Sequence, residues 1–80
     1  MRMPRDLSGQ DLLKYLKPFG YQITRQTGSH IRLTTYENGQ HHITIPNHDP
    51  LKIGTLSAIL ADVASHFNKT KEEFMQLLFG

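Results

Sequence analysis

Between Tyr21 and Ile45 the apolar residues recur at every second position, and on both sides of that block they recur at every third or fourth. A chain that changes period twice in this way is helix, then strands, then helix. Ser8 followed by Asp11 reads as a variant of the capping box, and Leu12, Leu13 and Leu16 then hold helical spacing until Pro18 and Gly20 stop them. The first helix is therefore expected over about Gly9 to Lys17.

From Tyr21 the alternation puts Tyr21 and Ile23 on one face of a half-buried strand and Gln22, Thr24 and Gln26 on the other. Gly28 breaks it. His30 to Tyr36 alternates again, with Ile31 and Leu33 opposed to His30, Arg32 and Thr34, and Gln40 to Ile45 sets His41, Ile43 and Ile45 against His42 and Thr44. A two-residue Asn-Gly turn between the last two strands would place Leu33 opposite Thr44 and mix the faces. A three-residue loop, Glu37-Asn38-Gly39, with Gly39 left-handed, pairs Tyr36 with Gln40, Leu33 with Ile43 and Ile31 with Ile45. The polar face then collects His30, Arg32, Thr34, His42 and Thr44.

After the loop Pro46-Asn47-His48-Asp49-Pro50, the run Leu56, Ile59, Leu60, Val63, Ala64, Phe67 is the strongest helical pattern in the chain, with Thr55 as its expected N-cap. Thr70 with Glu73 opens a short last helix through Phe74, Leu77 and Leu78. The expected class is α+β: a three-stranded antiparallel sheet with helices on one face, in the order α-β-β-β-α plus a short C-terminal helix. The polar sheet face is left open.

Eighty residues make one domain, 1–80, and with 38% hydrophobic and 20% charged residues the chain is too apolar for a disordered tail. It has no cysteine, so no disulfide or thiolate metal site is available. Met1-Arg2-Met3-Pro4-Arg5-Asp6 leads to no apolar segment of signal-peptide length, so a soluble cytoplasmic protein with no membrane partner is expected. A formal charge of +2 and a pI near 9.2 suit nucleic acid without being diagnostic of it.

Motifs for zinc hydrolases, redox dithiols, P-loops and nucleophile elbows are missing, which leaves the five histidines as the chemistry-bearing residues. His30 follows Gly28 and Ser29, where glycine admits close backbone approach and the hydroxyl can donate to a phosphate, with Arg25 and Arg32 nearby to hold charge. On position alone, a surface histidine opening a strand is the simpler account of it. His41 and His42 point to opposite faces and cannot share a metal; His41 reads as a half-buried residue at the edge of the core, and His42 could assist His30, with a solvated strand histidine as the simpler account. His66 lies near a helix C-terminus, where positive charge is favourable. His48, Lys52, Gly54 and Thr55 precede or open the second long helix, a plausible anion site at its free N–H groups, with ordinary turn and capping chemistry as the simpler account.

The strings Arg25-Gln26-Thr27-Gly28-Ser29-His30, Pro46-Asn47-His48 and Gly54-Thr55-Leu56-Ser57-Ala58-Ile59-Leu60, in that order and spacing, resemble the HicA (YcfA-like) family. Leu7-Ser8-Gly9 and Glu72-Glu73-Phe74 extend the likeness over nearly the whole chain. Its members are small bacterial toxins of type II toxin-antitoxin systems, mRNA interferases with a fold similar to the double-stranded RNA-binding domain. The resemblance implies that His30 is catalytic and that a HicB-like antitoxin covers this surface. It implies metal-independent, cofactor-free cleavage of mRNA, with His30 as general base on a ribose 2′-OH or general acid to the departing 5′-oxygen. Arg25, Arg32 and Lys52 would contact phosphate, with Gly28, Ser29, His48, Gly54 and Thr55 completing the RNA site. Ser57, Ala58 and Asp62 stand where relatives often carry basic residues. A non-catalytic RNA-binding module and an antitoxin-binding interaction domain are the alternatives on the same fold.

Overall fold

The computed structural model describes residues 3–80; Met1 and Arg2, the start of the leading segment considered above, lie outside it. The elements are α1 (Gly9–Leu16), a 3-10 turn (Lys17–Phe19), β1 (Gln22–Thr27), β2 (His30–Thr35), β3 (His41–Pro46), α2 (Ile53–His66) and α3 (Lys71–Phe79). The strands form one antiparallel sheet in the order β1-β2-β3. The fold is α+β, with the α-β-β-β-α order of the double-stranded RNA-binding domain and α3 appended.

Both expected capping boxes form: the Ser8 and Thr70 side chains accept from the N–H groups of Asp11 and Glu73, whose carboxylates accept in return from the cap N–H groups. The apolar strand residues Ile31, Leu33, Ile43 and Ile45 pack in one cluster with Leu12 and Leu16 of α1, Leu56, Leu60 and Val63 of α2, and Phe74 and Met75 of α3. All three helices therefore cover the same face of the sheet, and the other stays open. The β2–β3 pairs Leu33 with Ile43 and Ile31 with Ile45 are as expected from the three-residue loop, in which Gly39 has φ 97°. Asn38 takes a positive φ of 57° as well.

Three expectations need correction. The first helix ends at Leu16, because Pro18 suits the start of a 3-10 turn, and Lys17 begins that turn. The second long helix begins at Ile53 with Lys52 as its N-cap, so Thr55 lies in the first turn and caps nothing. Leu51 is buried and its N–H is fixed to the Leu7 carbonyl at 2.8 Å, which forces the chain to turn at Lys52 before any capping side chain is reached. The apolar stripe missed this start because Ile53 points outward, 42% exposed.

The third correction matters most. β1 is an edge strand whose residues are all exposed, Ile23 included, and only Tyr21 just before it is buried. Its pairing with β2 shifts between Ile23 and Arg25, a bulge in which Thr24 is the extra residue. Every side chain after the bulge changes face. Arg25 and Thr27 thereby join the polar face, and Gln26 leaves it. No helix among the described residues is long and apolar enough to cross a membrane.

Candidate functional site

The open face is a ladder of three rungs, each crossing β1, β2 and β3: Thr27, His30, Pro46; then Arg25, Arg32, Thr44; then Gln22, Thr34, His42. Successive rungs are two residues apart, about 6.6 Å along the strands. A groove of about 570 Å³ runs over these rungs and is walled beyond β3 by Ala58, Ile59 and Asp62 from the middle of α2.

His30 begins β2 directly after the two-residue turn Gly28-Ser29 that joins it to Thr27. Gly28 has φ 52°, and a Cβ placed on it meets nothing within 4 Å, so glycine serves the backbone of the turn and not a close approach. The turn is tied down from below: the Asn47 N–H donates to the Ser29 carbonyl at 2.6 Å, and the Gln10 amide reaches the Asn47 side chain at 3.2 Å. The Gly9 N–H donates to the His48 carbonyl at 2.9 Å, and any side chain at Gly9 would run into the Pro46 carbonyl. The start of α1 thus holds the loop that holds the His30 hairpin.

On the middle rung Arg25 and Arg32 lie directly opposite each other. The sole ion pair among the described residues is His41 with Asp62, so neither guanidinium is neutralised by a carboxylate. Like charges facing across a sheet destabilise it. On the last rung the Thr34 hydroxyl, on a residue only 3% exposed, lies 2.7 Å from His42 Nδ1 and 2.8 Å from the Thr24 hydroxyl. The bulge residue therefore steadies Thr34, and Thr34 steadies His42.

His41, on the other face, is half-buried as expected. Its Nδ1 meets the Tyr21 hydroxyl at 2.7 Å and its Nε2 meets Asp62 at 3.1 Å. Burial, and after it the negative charge of Asp62, raises the Tyr21 pKa, so the phenol stays protonated; the Asp62 carboxylate can only accept from Nε2–H, and in the neutral ring Nδ1 then accepts from the phenol. His66 stacks on His41 with ring centres 4.4 Å apart and donates to the Glu37 carbonyl at 2.9 Å, which fastens the end of α2 to the β2–β3 loop. These two histidines have structural partners; His30 and His42 face the groove.

Of the residues singled out from sequence, the structure brings Arg25, His30 and Arg32 together in the groove. Gly28 and Ser29 form the adjoining turn. His48, Lys52, Gly54 and Thr55 do not line it: the groove meets α2 at its middle and not at its N-terminus. Thr27, Thr44, Ala58 and Asp62 line it and were not singled out. Thr44 was readable from the register; Thr27 needed the bulge, and Ala58 and Asp62 had drawn notice only as positions where relatives often carry basic residues. Among the described residues no group of three or more histidines and carboxylates is placed to hold a metal.

A family model described as the HicA toxin of bacterial toxin-antitoxin systems matches residues 9–64, more than two thirds of the chain. The matched stretch begins at the start of α1 and takes in all three rungs and the α2 wall. No curated protein and no solved structure matches the chain.

Proposed function

The chain belongs to the HicA toxin family of bacterial toxin-antitoxin systems, and from that membership we propose that it is an endoribonuclease that cleaves mRNA at His30 without a metal ion. The observation that carries the reading is the middle rung: two unneutralised guanidinium groups face each other one rung from an exposed histidine. A sheet accepts that repulsion where an anion is to be bound, and a phosphodiester is the anion that an imidazole can also help to break.

In the proposed reaction the ribose 2′-oxygen bonds to the adjacent phosphorus as the bond from phosphorus to the 5′-oxygen breaks. The 2′-hydroxyl gives up a proton and the 5′-oxygen gains one, leaving a 2′,3′-cyclic phosphate and a 5′-hydroxyl. His30 carries out one of these transfers and solvent the other, while Arg25 and Arg32 hold the charge that builds on the non-bridging oxygens. DNA lacks the 2′-hydroxyl and is not cut. A HicB-like antitoxin silences the protein by covering the open face, and the cytoplasm is where both it and mRNA are met.

Wild type and His30→Ala, both confirmed folded by circular dichroism, are incubated with a long single-stranded RNA in EDTA. Cleavage by wild type, reduced about a hundredfold to ten-thousandfold in the variant, is the expected result. RNA bound but cut by neither protein would make this a binding module. Equal cutting by both would remove His30 from the reaction.

A further inference from the structure

The three rungs have a repeat and a charge pattern that no isolated active-site histidine requires. His30 stands on the first, Arg25 and Arg32 on the second and His42 on the third, and the remaining rung positions are uncharged. The repeat of about 6.6 Å is on the order of the distance between successive phosphates of an extended polynucleotide. We infer that one RNA strand lies lengthwise along β2, with the scissile phosphate at His30, the next between the two arginines, and the one after at His42, which is the far anchor of the track.

Two further features point the same way. His42 is held by a chain of two hydroxyls, Thr24 to Thr34 to Nδ1, that begins at the bulge and passes through a buried threonine. Run in that direction, the chain leaves Nε2–H to donate, and Nε2 makes no hydrogen bond among the described residues. A merely solvated histidine needs no such support. Beyond β3, Asp62 keeps 58% of its side chain exposed, and its carboxylate repels a phosphate chain that strays across the edge. No phenylalanine or tyrosine lines the groove, so the backbone and not the bases is gripped.

The inference takes its ligand from the ribonuclease reading but is tested without cleavage, using 2′-O-methyl oligouridylates that cannot be cut. Affinities for strands of one, two, three and four phosphates are measured by NMR titration of wild type, Arg25→Ala, His42→Ala and Thr34→Val. In wild type the affinity should climb to three phosphates and then flatten, the third adding about fivefold. His42→Ala should keep the first two steps and lose the third. Thr34→Val should keep the amide spectrum of the folded protein, change the tautomer of His42 seen in long-range nitrogen spectra, and shrink the third step. A third step that survives His42→Ala, or a one-phosphate ligand that is weakened equally by His42→Ala or Thr34→Val, overturns the track. Cleavage of natural RNA with no length step would overturn it while leaving the ribonuclease standing, and a clear third step with no cleavage would do the reverse.

Discussion

The facing guanidinium groups of Arg25 and Arg32 make a prediction about stability as well as binding. Directly opposed like charges cost roughly 0.2–1 kcal/mol. Arg25→Gln should therefore raise the thermal midpoint by about one to a few degrees while weakening RNA binding, and calorimetry beside an RNA titration would show the two moving in opposite directions. A fall in both would mean that the arginine supports the sheet and not a ligand. The same residue shows where sequence reading stops. Strict alternation puts Arg25 on the face of Tyr21 and Ile23, and only the extra residue Thr24 turns it over to meet Arg32 and His30. Bulges depend on pairing between strands, which one strand's composition does not encode. His30, by contrast, was placed correctly because it directly follows the turn and no irregularity intervenes.

At the scale of elements, α1 and α3 are each opened by a reciprocal cap that titrates. The Ser8 backbone N–H holds the pKa of Asp11 below its ordinary value of 3.8, and the Thr70 backbone N–H holds Glu73 below 4.5. Folding lowers both, so the stability they add is complete above those ordinary values and is lost as the pH falls through the lower folded-state values. The thermal midpoint should be level from neutral pH down to that range and decline below it. In Asp11→Asn with Glu73→Gln the neutral midpoint should be lower and the acid decline shallower; an unchanged acid slope would place the sensitivity elsewhere. These two caps were legible because a serine or threonine and an acid at fixed separation is a purely local signal. The start of α2 was not, since it is set by the distant contact of Leu51 with Leu7.

The whole molecule is flat, with extents of 31 × 30 × 17 Å, one sheet backed by one layer of helices. An entire broad side is therefore the open sheet, and the modest formal charge of +2 understates what a polyanion meets there. With both arginines engaged, the logarithm of RNA affinity should fall with the logarithm of salt at a slope of roughly −1.4, at 0.7 for each single-strand phosphate contact. Arg32→Gln should halve that slope; a slope near zero would mean that no phosphate is held on this side. The layer order and register were readable because the loop length and the alternation of β2 and β3 leave only one arrangement that keeps the apolar residues together. The approach of α2 to the β3 edge was not, because it depends on how helices settle against one another.

Gly9 is where α1 touches the loop beneath the His30 hairpin, and from there the hairpin is stitched to the chain through His48, Asn47 and Ser29. The tip that carries His30 is therefore positioned from α1, through the loop that holds it. A side chain added at Gly9 would press on the Pro46 carbonyl, and the displacement would pass along that loop to the turn before His30.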